Sequence, residues 1–378
     1  MLHFDPDLPE VDDLLQLFLN DTPLMDVRAP VEFNEGAFPA ANNIPLINDE
    51  ERHVIGKTYK DLGQDEAIKL GVELVSGTTK SDRLAQWQQF TQAHPEGVLY
   101  CFRGGMRSKV TQQWLFEETG VRYPRVKGGY KVLRRFLIDQ LEAISPKVKP
   151  VVIGGRTGVG KTKFLQSLTP NLDLEGLAWH RGSAFGSHAT PQPTQREFEN
   201  RLSIEVLKLF HGGNPYFVAE DESRNIGHRH MPMSFFEPFS LAPIIVLDET
   251  EEHRINITQQ EYIHEALAEF VELHGEEAGL EAWATALTDS LFRIRKRLGG
   301  VNYEKINKEL HDALQLHKTQ NDTTAHRAWI KSLLIDYYDS MYEYQLSKKS
   351  DRIVFTGNRD DVLDKLQTDF GITKLKIA

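Results

Sequence analysis

The octet Gly155-Arg156-Thr157-Gly158-Val159-Gly160-Lys161-Thr162 constrains this chain most. It satisfies G-x-x-x-x-G-K-[ST], follows the apolar run 151–153 and opens a helical pattern over 161–167. Glycines so placed let successive N–H groups converge on phosphate oxygens, Lys161 adds a point charge, and Thr162 suits a Mg²⁺ that bridges phosphates. Strand, turn and helix in that order imply a parallel sheet with helical crossovers. The expected diphosphate site is therefore Gly155, Thr157, Gly158, Gly160, Lys161 and Thr162. Any diphosphate ester presents the same oxygens, and no residue marks itself as orienting a nucleophile for ATP hydrolysis, so the nucleotide stays unassigned.

Two further segments belong with this loop. Tyr216-Phe217-Val218-Ala219-Glu220-Asp221-Glu222-Ser223 reads as an apolar strand ending in acids. Glu220 or Asp221 is expected to support a metal through water, with Thr162 and Asp221 as the holders of Mg²⁺ if one takes part; a merely solvated strand end is the alternative. The stretch 175–186, rich in glycine, bases and aromatics, shows no helical period. It is expected to be a substrate clamp with His180 and Arg181 aimed at phosphate or RNA, or else a plain surface loop.

A second strand–loop–helix junction surrounds the one cysteine of the chain. Val98-Leu99-Tyr100 leads into Cys101-Phe102-Arg103-Gly104-Gly105-Met106-Arg107-Ser108 and then a helical pattern. Backbone N–H groups and the positive end of a helix favour a thiolate there, and Arg103 and Arg107 add charge that suits an incoming anion. Lone cysteines are usually small buried hydrophobes. Two glycines, two arginines and a helix start in one loop argue instead for a nucleophile, with Arg103, Gly104, Gly105 and Arg107 as its anion loop.

The 378 residues suffice for two or three folded units. We expect an α/β chain: a parallel-sheet domain over 12–138, a linker over 139–150, a phosphate-loop α/β domain over 151–258, and a mostly helical extension over 259–378 closed by a strand at 352–356. A formal charge of −11 excludes a global field that would draw in nucleic acid. RNA contact would need local patches: 121–150 carries eight bases against Asp139 and Glu142, interleaved with Tyr123 and Tyr130, and Arg293, Arg295, Lys296 and Arg297 form a second knot. The acidic start, one cysteine and no long apolar run lead us to expect a cytoplasmic protein with no membrane partner.

The segments Leu24-Met25-Asp26-Val27-Arg28-Ala29-Pro30-Val31-Glu32-Phe33 and Gly36-Ala37-Phe38-Pro39-Ala40-Ala41-Asn42-Asn43-Ile44-Pro45-Leu46 resemble those of rhodanese domains, with Ala37 where many rhodaneses keep histidine. Cys101 falls where that family has its persulfide-forming cysteine, and Asp26 and Arg28 read as scaffold. The chain as a whole resembles the tRNA 2-selenouridine synthase family, through Val126-Lys127-Gly128-Gly129-Tyr130-Lys131, Leu174-Glu175-Gly176-Leu177-Ala178, His180-Arg181-Gly182-Ser183-Ala184-Phe185-Gly186, Glu220-Asp221-Glu222-Ser223-Arg224 and Tyr337-Tyr338-Asp339. The resemblance implies a rhodanese-like domain fused to a P-loop domain, acting on the wobble uridine of tRNA. It implies replacement of sulfur by selenium at C2 of 2-thiouridine, through S-geranylation from geranyl diphosphate and then selenation from selenophosphate, which a separate enzyme would supply. Cys101 would carry or guide selenium, and no tightly bound cofactor is implied. The alternatives are a rhodanese-type sulfurtransferase with a regulatory nucleotide domain, and a noncatalytic RNA-binding adaptor.

Overall fold

Parallel strands covered on both faces appear in sequence as unbroken apolar runs, and Leu24–Asp26 and Val98–Tyr100 are buried at every position. In the computed structural model, which describes residues 3–375, these strands lie in the first of two units. That unit comprises the chain up to Ala143 together with Thr194–Lys208; the second comprises Ile144–Pro193 and the chain from Leu209 onward.

The sheet of the first unit has five parallel strands in the order Glu10–Val11, Arg125–Val126, Val98–Tyr100, Leu24–Asp26, Ala41–Asn43. Met25 and Leu99 pack with Trp87, Trp114 and Leu115 in its core. Asp26 and Arg28 form a fully buried ion pair at 2.6 Å. Tyr100 donates to Asp26 at 2.7 Å, Arg28 donates to the Gly36 carbonyl at 3.0 Å, and the guanidinium lies 3.9 Å from the Tyr130 ring. Burial of both charges is tolerable because each is matched.

The expected linker over 139–150 is not one. Leu133, Leu137, Leu141 and Ile144 are all buried on the helix Gly129–Ile144, and the strand Lys149–Gly154 begins after one short turn. The chain also leaves and re-enters the units once. Thr194–Lys208, inside the expected second domain, belongs to the first unit. There Asn200 donates to the Ala37 carbonyl at 2.9 Å, Lys208 pairs with Asp21 at 2.7 Å, and Arg134 pairs with Glu199.

The second unit has its own five-stranded parallel sheet, ordered Ile353–Gly357, Ile244–Leu247, Lys149–Gly154, Tyr216–Glu220, Asn171–Leu172. The late strand is thus an edge of the main sheet, not a cap on a helical extension. The following helix, Arg359–Phe370, sends Val362 and Leu366 into the core beside Val151 and Ile153. The long helices lie in the chain between the last two strands and have a separate core around Trp283, Ile306, Leu310 and Trp329. This helical region contains two π-helical turns, at Gln260–Glu265 and Leu334–Asp339. Such turns often mark functional sites. Among the described residues no helix is long and apolar enough to cross a membrane.

Candidate functional site

Cys101 directly follows the middle strand of the first sheet. Its Sγ donates to Ser108 Oγ at 3.2 Å, and Ser108 Oγ donates to the Gly105 carbonyl at 3.1 Å. The loop is clasped from outside: Tyr130 N donates to the Cys101 carbonyl at 2.8 Å, and Arg125 donates to the Gly104 carbonyl at 3.0 Å. Gly104 and Gly129 both have positive φ, and a Cβ on Gly129 would lie 2.2 Å from the Cys101 carbonyl oxygen. Only glycine allows this approach. Cys101 is 3% exposed, so the sulfur is covered although the sequence marks it as a nucleophile suited to an incoming anion. Its place in a core with Val110 and Trp114 is the reason.

The two loop arginines differ. Arg107 forms a two-pronged pair with Glu32, with one N–O distance of 2.9 Å. Burial lowers its pKa, but Glu32 and the Cys101 sulfur outweigh burial and hold the guanidinium above its ordinary value. Arg103 is exposed, 5.8 Å from the Phe102 ring. Beside the loop lies a cavity of about 770 Å³, walled by Met106, Arg107, Val110 and Trp114 and by the helices Asp49–Leu62 and Gln64–Leu74.

In the second unit the phosphate loop follows the middle strand Lys149–Gly154 and precedes the helix Lys161–Gln166. Gly155, Gly158 and Gly160 all have positive φ, and a Cβ on Gly158 would lie 2.7 Å from the Arg254 carbonyl oxygen. Lys161 Nζ donates to the Gly155 carbonyl at 2.9 Å and Thr162 Oγ1 donates to Glu175 Oε2 at 3.0 Å. The loop is braced from beneath: Arg254 donates to the Thr157 carbonyl at 3.0 Å and pairs with Asp339, whose π-helical turn sets its reach.

Gly158, Gly160, Lys161 and Thr162 line a cavity of about 320 Å³ that also receives His180 and Arg181. The clamp residues therefore reach the phosphate loop, although 174–178 is a short helix, not loop. Their charges are not free for phosphate. Arg181 pairs with Glu269, which also contacts His188 at 2.9 Å. Burial, then neighbouring cations, push His180 down to about 4. Trp179 sits at positive φ, 40% exposed, stacked on His188 at 4.0 Å.

Five carboxyl groups line this cavity, Glu175, Glu222, Glu261, Glu265 and Glu269, against Lys161, Lys163 and Arg181. Burial is the largest effect on Glu175 and Glu222, which hydrogen-bond to each other, and it pushes both above the usual carboxylate range. Burial and then Glu175 push Glu261 to about 7. The strand-end acids fall elsewhere. Both oxygens of Asp221 are taken by Lys349, at 2.8 and 2.9 Å. Glu220 accepts from Leu174 N at 3.0 Å, and its second oxygen is buried without a partner. The expected Thr162–Asp221 metal pair is thus not assembled; Glu175 and Glu222 are the acids beside Thr162. In the sequence Glu175 stands in the run Leu174-Glu175-Gly176-Leu177-Ala178 with nothing to mark its role, and Glu222 carries no signal that separates it from its neighbours. Of the eight bases over 121–150 three pair with acids, Arg125 with Glu10, Arg134 with Glu199 and Arg135 with Asp139, while Lys127, Lys131, Lys147 and Lys149 are exposed; Tyr123 and Tyr130 are buried, so they offer no ring to a base. Of the second knot, Arg293 donates to Ser290 Oγ at 2.7 Å and Arg295 lies over the Phe292 ring.

A family model described as the tRNA 2-selenouridine synthase AAA domain matches residues 148–371. Proteins named tRNA 2-selenouridine synthase from Bordetella bronchiseptica, Marinobacter nauticus and Cupriavidus pinatubonensis are 48%, 49% and 48% identical to this chain. Each match covers 94% of this chain, and 96%, 97% and 97% of the respective relative.

Proposed function

The chain belongs to the tRNA 2-selenouridine synthase family, and on that premise we propose that it exchanges sulfur for selenium at C2 of a wobble 2-thiouridine in tRNA, in two steps at two sites. One observation carries the reading: a single chain places a cysteine loop and a phosphate loop each at the end of a middle strand in its own parallel sheet. The first unit is read as rhodanese-like, which fits its all-parallel sheet with Cys101 after the middle strand.

In the first step the phosphate loop holds the diphosphate of geranyl diphosphate. The thiocarbonyl sulfur attacks C1 of the geranyl group, the C1–O bond breaks, and diphosphate departs while N3 gives up its proton. Lys161 and the loop N–H groups stabilise the departing charge. The oxygens of Thr162, Glu175 and Glu222 suit a hard cation, and among the described residues no three or more His, Cys, Asp or Glu side chains form a ready cage. Mg²⁺ arriving with the diphosphate fits that arrangement, since it is commonly held by one or two carboxylates and substrate phosphates. When bound it would neutralise diphosphate charge.

S-alkylation turns a poor leaving group into a thiol that departs readily. In the second step selenium from selenophosphate replaces that thiol at C2. Selenium in selenophosphate is already at the selenide level, so a perselenide on Cys101 would require an oxidant. Delivery with Cys101 guiding selenium, and Arg103 meeting the phosphoryl group, requires none. The test is mass spectrometry of the wobble nucleoside after 2-thiouridine tRNA meets geranyl diphosphate and then selenophosphate. Cys101→Ala is expected to form the S-geranyl nucleoside and no selenouridine. Loss of both products in a folded variant would break the division of labour.

A further inference from the structure

We propose that the cavity beside the cysteine loop seats the hydrocarbon chain that the base carries on sulfur during selenation, and holds the alkyl thiol as it leaves. The proposal rests on the two-step reading above and assigns it a second substrate subsite. The phosphate-loop cavity is ringed by carboxyl groups and offers a ten-carbon chain little beyond Trp179 and Tyr262. The cavity of the first unit is the opposite. At about 770 Å³ it lies in the size range of small-molecule sites, and Leu46, Ile68, Val72, Val75, Val110 and Trp114 make its wall.

Its position ties it to the chemistry. Met106 and Arg107 begin the helix that follows the cysteine loop, and Leu46, Val75, Val110 and Trp114 share one packed core with Cys101. Its mouth has a charge pattern. Arg52, His53, Lys57 and Lys60, all on the helix Asp49–Leu62, line it, Arg52 paired with Glu32 at 3.3 Å and Lys57 and Lys60 exposed beside Tyr59. An apolar interior under a cationic mouth fits an alkyl group tethered to a polyanion, the hydrocarbon going in and the phosphates remaining above.

The exchange balances without redox change. Carbon–selenium forms at C2 as carbon–sulfur breaks. Water takes the phosphoryl group from selenium as phosphate. Of the two hydrogens on the resulting selenide equivalent, one goes to N3 and one to the departing geranyl thiol.

The test compares two wobble substrates, tRNA bearing S-geranyl-2-thiouridine and tRNA bearing S-methyl-2-thiouridine, each given selenophosphate and the full-length protein. Ala67→Phe fills the cavity from its buried floor; Val72→Trp does so from a position 39% exposed, where the fold is least at risk. Both variants are expected to lower the geranyl-over-methyl preference in selenation rate at least tenfold. An unchanged preference in folded Val72→Trp overturns the proposal. Failure of the unmodified protein to selenate the S-geranyl RNA would instead overturn the two-step reading. The subsite is then judged by titrating the S-geranyl-2-thiouridine nucleoside: tenfold weaker binding to Val72→Trp supports it, and equal binding overturns it.

Discussion

The two glycine-rich loops stand at the same topological position, the end of the middle strand in a five-stranded parallel sheet, yet their surroundings are opposite. Cys101 is covered and has one hydroxyl partner, and Met106 and Arg107 after it line a cavity with a largely apolar wall. Lys161 and Thr162 face a smaller cavity crowded with carboxyl groups, and burial pushes Glu175, Glu222 and Glu261 up. The strand–turn–helix platform is thus common to both loops, and side chains arriving from distant parts of the chain make their surroundings differ.

The sharpest way to break this contrast is to remove the support of one platform. Arg28→Met leaves Asp26 buried without its counter-charge and is expected to cost the first unit about 3–5 kcal/mol, seen as an earlier urea transition with the phosphate loop undisturbed. Next is Lys161→Ala, expected to slow geranyl transfer on the order of a hundredfold or more, the loss seen when a charge-stabilising donor is removed. Normal geranylation in that variant, by mass spectrometry of the nucleoside, would remove the phosphate loop from the mechanism. Asp339→Asn tests the bracing of the loop through Arg254 and is expected to cost about 1–3 kcal/mol of diphosphate binding, measured by calorimetric titration with geranyl diphosphate. The smallest effect is a pH dependence. Burial pushes Glu261 to about 7, so it is neutral below that pH and anionic above it, inside the cavity proposed to take the diphosphate. Affinity for geranyl diphosphate is expected to fall several-fold from pH 6 to 8, and Glu261→Gln is expected to flatten that profile.

The legible parts of this molecule were the local ones. Loops 101–108 and 155–162 announce themselves because strand end, glycines and helix start are contiguous, and the helix at 106 and strand at 149 form close to where residue type predicts. What was hidden depends on contacts across the chain. Nothing in the sequence joins Asp339 to Arg254, 85 residues apart, or separates Glu222 from Asp221, one turned to Glu175 and the other to Lys349. The strand Ile244–Leu247 is a short apolar run without a motif, and only its place between two other strands gives it meaning. The helices that wall the apolar cavity are largely polar outside, so their sequence suggests surface. The basic stripe carries less charge than its count for a related reason: charge counted along the chain says nothing of the acids that pair with three of its eight bases.

The excursion of Thr194–Lys208 into the first unit bears on how this protein is made. A ribosome that has released everything up to Ala143 has delivered a sheet still lacking the helix whose Asn200 caps the Ala37 carbonyl and whose Lys208 meets Asp21. That piece emerges only after the phosphate loop has been synthesised. A gene cut near residue 150 to give the first unit alone would therefore yield a truncated product short of its last helix, and an expression clone that restores residues 194–208 is the one expected to remain in solution.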